Sequence, residues 1–130
     1  MAGNKKKILL IEDDKYIFRA YKDGLERAGF EVIGASDGAE GVAKAKDKKP
    51  DLILLDLILP IKNGFEVLEE IKMDDATKNI PVVILSNLGQ ESDVAKGNAL
   101  GAEDYLIKSN YSMKEVVEKV KFQLVKKKNG

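Results

Sequence analysis

Cysteine and histidine are both absent from the 130 residues. Without cysteine there is no disulfide framework, no thiolate zinc site and no sulfur nucleophile, and the redox compartment leaves no trace in the chain. Without histidine the chain cannot itself carry a phosphohistidine or activate a serine through an imidazole. Long apolar runs are missing too. None approaches the ~20 residues of a membrane span, and Met1–Lys7 brings charge with no apolar core of secretory length behind it. There is no excess of one charge, because 22 basic residues meet 22 acidic ones. That balance speaks against a dedicated nucleic-acid surface, and the short basic runs Lys5–Lys7 and Lys126–Lys128 read as solvated tails. The expectation is a cytoplasmic domain with no direct nucleic-acid contact and no membrane insertion. Its length corresponds to one domain, 1–130 with a core over about 6–125, able to bury roughly 70% of the surface its unfolded chain exposes.

What is present is an alternation of strand-like and helix-like segments. Ile8–Ile11, Leu52–Leu55 and Val82–Leu85 are unbroken apolar tetrads, whereas Phe30–Ile33 is interrupted by Glu31 and Tyr105–Ile107 is short. Continuous apolar runs suit parallel strands covered on both faces, and the weaker runs suit edges. Right-handed crossovers then favour the strand order 2-1-3-4-5. The predicted class is α/β, a flavodoxin-like (βα)5 three-layer sandwich. Asp14 is placed to cap the first helix, whose Phe18, Tyr21, Leu25 and Ala28 recur at helical spacing until Gly29. Asp37 with Glu40, and Ser112 with Glu115, have capping-box spacing. Met113, Val117, Val120 and Leu124 form the expected core stripe of the fifth helix. Gly97 and Asn98 interrupt the fourth, Glu91–Leu100, and a glycine inside a helix costs on the order of 1 kcal/mol relative to alanine. That helix is expected to be the marginal one.

Polar residues close four of the strand runs: Glu12, Asp13 and Asp14 after the first, Asp56 after the third, Ser86 after the fourth and Lys108 after the fifth. In the predicted order these converge at the carboxyl edge of the sheet, beside the switch point between strands one and three. Clustered carboxylates repel one another and raise each other's pKa unless a cation offsets them. Hard oxygen donors with water favour Mg²⁺, with Mn²⁺ as the alternative, over zinc. Glu12, Asp13 and Asp56 together cancel the formal charges of such an ion and Lys108. Asp56 stands alone after the central strand, followed by Leu57–Gly64 with its Pro60 and Gly64, and is the nucleophile candidate toward a phosphoryl donor. The metal, the Lys108 ammonium and the Ser86 hydroxyl would offset charge on the equatorial oxygens.

Ile8–Asp14 with its acidic cluster, Asp56–Pro60 followed by Asn63 and Gly64, Ser86, and Gly101–Lys108 together resemble the receiver domain of bacterial two-component response regulators, of the single-domain, chemotaxis-regulator-like kind. The resemblance covers nearly the whole chain. It implies that Asp56 accepts a phosphoryl group from a histidine kinase or a histidine phosphotransfer protein. It implies further that Asp13 binds Mg²⁺ directly, Glu12 through water, and that Asp56 and the backbone carbonyl of Ile58 complete the protein ligands. Lys108 would pair with Asp56 and then with the phosphoryl oxygens, Ser86 would swing toward the modified aspartate, and Tyr105 would turn inward with it. The readout would be the surface of the fourth helix, fifth strand and fifth helix, offered by a monomer or weak dimer to an unknown downstream protein target. The domain would assist its own phosphorylation and dephosphorylation without being an enzyme. Only Lys126–Gly130 follow the fifth helix, so no output module is expected in this chain, which reads either as a stand-alone receiver or as a piece of a longer regulator.

Three departures from the family pattern stand out. Ser109 follows Lys108 where proline is usual, so Lys108 is expected to be held less firmly. Asn87 follows Ser86 where a small residue is usual, and its amide is expected to narrow access to the acyl phosphate. Ile58 and Leu88 are apolar where the path of attacking water runs, which predicts slow self-dephosphorylation. A pseudo-receiver scaffold is the principal rival. A haloacid-dehalogenase-type phosphohydrolase would need a second acid where Ile58 stands, and an FMN binder would need a phosphate cradle where Glu12–Asp14 stand.

Overall fold

The structure, a computed structural model, describes residues 5–129, with side chains up to 126. Met1–Asn4 and Gly130 of the expected tails lie outside the described residues, as do the side chains of Lys127 and Lys128. Along the chain run β1 (Lys7–Ile11), α1 (Lys15–Arg27), β2 (Glu31–Ala35), α2 (Gly38–Lys48), β3 (Leu52–Leu55), α3 (Gly64–Met73), β4 (Val82–Ser86), α4 (Glu91–Ala99), β5 (Asp104–Ile107), a 3₁₀ turn over Lys108–Asn110, and α5 (Met113–Asn129). The five strands form one parallel sheet in the order β2-β1-β3-β4-β5, as the apolar runs predict. Among the described residues no helix is long and apolar enough to cross a membrane.

Strand alternation divides the core. Leu9, Ile11, Ile53, Leu55, Val82 and Ile84 face α2 and α3, where Val42, Ala45, Val67, Leu68 and Ile71 meet them. Ile8, Leu10, Leu52, Leu54, Val83, Leu85 and Leu106 face the other way, onto Leu25 of α1 and Val116 and Val120 of α5. Because both faces are covered, the stretches Ile8–Ile11, Leu52–Leu55 and Val82–Leu85 can be apolar at every position.

Several expectations need correction. Lys7 is not in a tail: it opens β1 opposite Glu31, and its N–H donates to Asp51 Oδ2 at 2.7 Å. Lys126–Lys128 likewise fall inside α5. The core line of α5 centres on Val116 and Val120, joined by a buried Gln123, while Val117 and Leu124 pack only partly and Met113 lies over Gly24. In α2, Asp37 accepts from the Glu40 N–H at 2.7 Å, but the Glu40 carboxylate turns to the Ser36 N–H, also at 2.7 Å, and not to Asp37. The boxes at Ser112 with Glu115 and at Asn63 with Glu66 are complete, and the second starts α3, an element the apolar pattern leaves unmarked.

Two features hold β4 and its cover. At the amino end, Lys72 Nζ donates to the Ile80 carbonyl at 3.0 Å and pairs with Glu103 at 3.3 Å, while Glu103 accepts from the Val82 N–H at 2.8 Å. Over the middle of β4, Gly97 is buried, and a Cβ there would lie 2.6 Å from Ile84 Cδ1 and 3.1 Å from the Tyr105 ring. The glycine expected to weaken α4 is what lets the helix approach the sheet. Gly97→Val is therefore expected to lower the free energy of unfolding by about 1–3 kcal/mol through overpacking. Gly97→Ala is expected to stay near wild type, since its gain in helix propensity of about 1 kcal/mol offsets a shift of one flexible methyl. Urea unfolding of both variants checks this.

Candidate functional site

Strand register puts the polar ends side by side. Ile11 is opposite Leu55, Leu55 opposite Ile84, and Ser86 opposite Ile107, so the residues that follow share one edge. The turns there are tied by backbone bonds: Asp56 N–H to the Ile11 carbonyl at 3.1 Å, Glu12 N–H to Ala35 at 3.0 Å, and Gly64 N–H to Leu57 at 2.9 Å. Gly64 has no room for a side chain against the Asp56 carbonyl and Leu57, which keeps the start of α3 close beneath the turn. Within that turn Ile61 adopts φ 71°, an outlying conformation for a β-branched residue, and its side chain is exposed.

The predicted site residues come together. Asp56 is 7% exposed, Glu12 4% and Ser86 0%, while Asp13 faces solvent. Ser86 Oγ donates to Asp56 Oδ1 at 2.7 Å, and Lys108 Nζ donates to Asp56 Oδ2 at 3.0 Å and also to Glu12. The Ile58 N–H reaches Asp56 Oδ1 at 3.3 Å, and the Asp14 N–H reaches Glu12 Oε2 at 3.1 Å. Asp14 itself caps α1, accepting from the Tyr16 and Ile17 N–H groups at 2.9 and 3.1 Å, so its carboxylate serves the helix, as its position predicts. Ile58 is 60% exposed at the mouth of the site. Tyr105 is half-buried, and its hydroxyl donates to the Leu88 carbonyl.

Electrostatics follow from burial and like charge. Burial pushes the Glu12 carboxyl up against the opposing pull of the Lys108 ammonium and the Asp14 N–H, and the neighbouring Asp56 charge adds to the rise. For Lys108, burial works against the charge, but the bonds to Glu12 and Asp56 more than offset it and hold the ammonium above the usual lysine range. Carboxylate oxygens of Glu12, Asp13 and Asp56 lie within 4.8 Å of one another. Three hard carboxylates, two of them buried, against one ammonium leave a net negative focus, and that donor set fits a divalent cation of the oxygen-seeking kind. A cleft of about 280 Å³ opens beside it, lined by Glu12, Asp13, Lys15, Phe18, Gly34 and Ser36 among others. The site can therefore hold a cation next to two buried carboxylates, Glu12 and Asp56.

The structure adds a contact between two of the departures, Asn87 and Ser109. The Asn87 amide is exposed and accepts from the Ser109 N–H at 3.2 Å, a bond between the end of β4 and the turn that carries Lys108. Sequence reasoning treats these residues as separate departures. Nothing in a single chain signals that positions 22 apart are partners.

The Response regulator receiver domain profile matches residues 8–121. The chain is 42% identical over 115 residues to the DNA-binding dual master transcriptional regulator RpaA of Synechocystis, a match covering 88% of this chain and 47% of that protein. It spans about half the length of the transcriptional regulators it matches. Among solved structures, a CheY-like response regulator receiver domain protein from Methanospirillum hungatei superposes with a TM-score of 0.89 at 28% identity, covering 97% of this chain and 98% of that one. The Mn²⁺-bound form of response regulator Rcp1 gives a TM-score of 0.78 at 38% identity, covering 92% and 94%.

Replacing Lys108 by methionine leaves Glu12 and Asp56 buried without a countercharge, and Lys108→Met is expected to cost about 3 kcal/mol of stability near neutral pH. A raised lysine contributes stability fully below its unfolded pKa and loses it as pH rises through the folded value. The wild-type advantage is thus greatest at neutral pH, narrows above the lysine range, and narrows on the acid side as the raised Glu12 carboxyl takes up a proton. Urea unfolding of the two proteins across pH measures the difference.

Proposed function

The chain belongs to the response regulator receiver family, the phosphoacceptor signalling domain of two-component systems, and on that premise we propose that Asp56 accepts the phosphoryl group. The observation that carries this is a nearly buried carboxylate at the end of the central strand, with a hydroxyl on one oxygen and an ammonium on the other. The donor is a histidine kinase or a histidine phosphotransfer protein. A P–O bond forms to the Asp56 carboxylate as the donor's P–N bond breaks and its imidazole leaves. Glu12, Asp13, Asp56 and the Ile58 carbonyl would hold Mg²⁺, or Mn²⁺, which supplies positive charge to the phosphoryl oxygens. Lys108 sits 3.0 Å from the acceptor, placed to follow the charge from carboxylate to phosphoryl oxygen, and the apolar Ile58 and Leu88 limit water at the product.

The charge at Asp56 changes from about −1 to about −2 on modification. Ser86 feels that change first. Leu88 links it to the aromatic residue, because the Leu88 N–H donates to Ser86 Oγ at 3.3 Å while its carbonyl accepts from the Tyr105 hydroxyl. A Ser86 hydroxyl drawn toward the phosphoryl group loosens Leu88 and with it the Tyr105 anchor under Gly97 of α4. The readout is the α4–β5–α5 face, for a downstream protein target. In this reading residues of about 6–125 are the working receiver core of a cytoplasmic monomer or weak dimer. It assists its own phosphorylation and dephosphorylation and has no separate substrate.

Incubation with Mg²⁺ and acetyl phosphate is expected to add one phosphoryl mass to the wild type and none to Asp56→Asn. Failure to gain mass from acetyl phosphate and from a kinase alike would leave a pseudo-receiver scaffold. Once phosphorylated, the wild type is expected to lose phosphate more slowly than Ile58→Asn and Leu88→Glu, in which a polar group can position water. Equal or slower decay in both variants removes the apolar screen from the account.

A further inference from the structure

The two loops that deliver the hydroxyl and the ammonium to Asp56 are joined to each other. Asn87 follows Ser86 at the end of β4, Ser109 follows Lys108 in the turn after β5, and the Ser109 N–H donates to Asn87 Oδ1 at 3.2 Å. Ser86 and Ile107 form the last paired position of these neighbouring strands, so the side-chain bond spans the gap just beyond the point where the ladder stops. The contacts then close into a ring. Ser86 Oγ holds Asp56 Oδ1 at 2.7 Å and Lys108 Nζ holds Asp56 Oδ2 at 3.0 Å, while their sequence neighbours hold one another.

Each link has a chemical requirement. The Asn87 end needs an acceptor oxygen of that reach. The Ser109 end needs a backbone N–H, which any residue except proline provides, and the serine hydroxyl takes no part. Lys108 has a long flexible stem, so fixing its backbone narrows the volume its ammonium searches. We infer that Asn87 is a positioning residue for phosphoryl transfer: its amide ties the Ser86 loop to the backbone beside Lys108, so that hydroxyl and ammonium meet the two oxygens of Asp56 in a fixed relation. This rests on Asp56 being the acceptor. It adds a direction to the switch as well, because a Ser86 loop drawn toward a phosphoryl group brings the backbone beside Lys108 with it.

The test uses the full chain and two readouts, the initial rate of phosphorylation by acetyl phosphate with Mg²⁺ and NMR of the Ser109 amide and Lys108 ammonium. Asn87→Ala is expected to speed hydrogen exchange at the Ser109 amide, to change the Lys108 ammonium signal and to slow phosphorylation about threefold to tenfold. Ser109→Ala keeps the N–H and is expected to match wild type in all three. Asn87→Asp keeps an acceptor oxygen and is expected to restore slow exchange. With Ser109→Pro already in place, Asn87→Ala is expected to have no additional effect on rate, the signature of two residues acting through one bond. Wild-type exchange and rate in Asn87→Ala, or additive losses in the double variant, overturn the inference. A wild type that takes up no phosphoryl group refutes the Asp56 assignment instead, and the exchange and ammonium signals still decide whether the tie holds the lysine.

Discussion

A parallel sheet covered on both faces leaves no place for a charge along the buried stretches of its inner strands. Leu52–Leu55 and Ile8–Ile11 are wholly buried, so polar chemistry is displaced to the strand ends, where the backbone ladder stops and the chain turns. The arrangement of α1 and α5 on one face with α2 and α3 on the other is what imposes this. The groups of the site inherit their positions from that rule, at or just beyond the strand ends.

Crowding carboxylates at one edge has an electrostatic cost, and Lys108 is the resident answer to it. It reaches across from β5 to the residues following β1 and β3, and so spans the width of three strands at the sheet's edge. One ammonium among three carboxylates leaves the site short of positive charge. That shortage would be the physical basis for binding a cation and, with a cation present, for tolerating the phosphoryl group proposed at Asp56. Structure and signalling chemistry thus draw on the same imbalance.

The sheet order and the convergence of the polar strand ends were legible in the sequence because both follow from strong local patterns. Three apolar tetrads marked the inner strands, and polar residues at their ends marked the edge. Asp14 and Ser112 were readable as caps for the same reason. What escaped was set by contacts between distant residues. Gly97 looks like a defect in a helix until Ile84 and Tyr105 are seen beneath it. Val116 and Gln123 of α5 are buried because of how the helix rolls against α1, which periodicity alone leaves a residue or two uncertain. Glu40 bonds to Ser36 where a capping box predicts Asp37, and Asn87 finds Ser109 across two strands.

The clamp of Lys72 and Glu103 on the amino end of β4 sets the mechanics of the opposite end. A strand anchored at one terminus and packed on both sides resists sliding along its own axis, so in the proposed switch a displacement that begins at Ser86 would emerge laterally, into the loop and α4. In that reading the domain has a stationary pole and a moving pole. Changes that toughen the stationary pole act on endurance alone, and variation at the moving pole can retune the response while the foundation stays as it is.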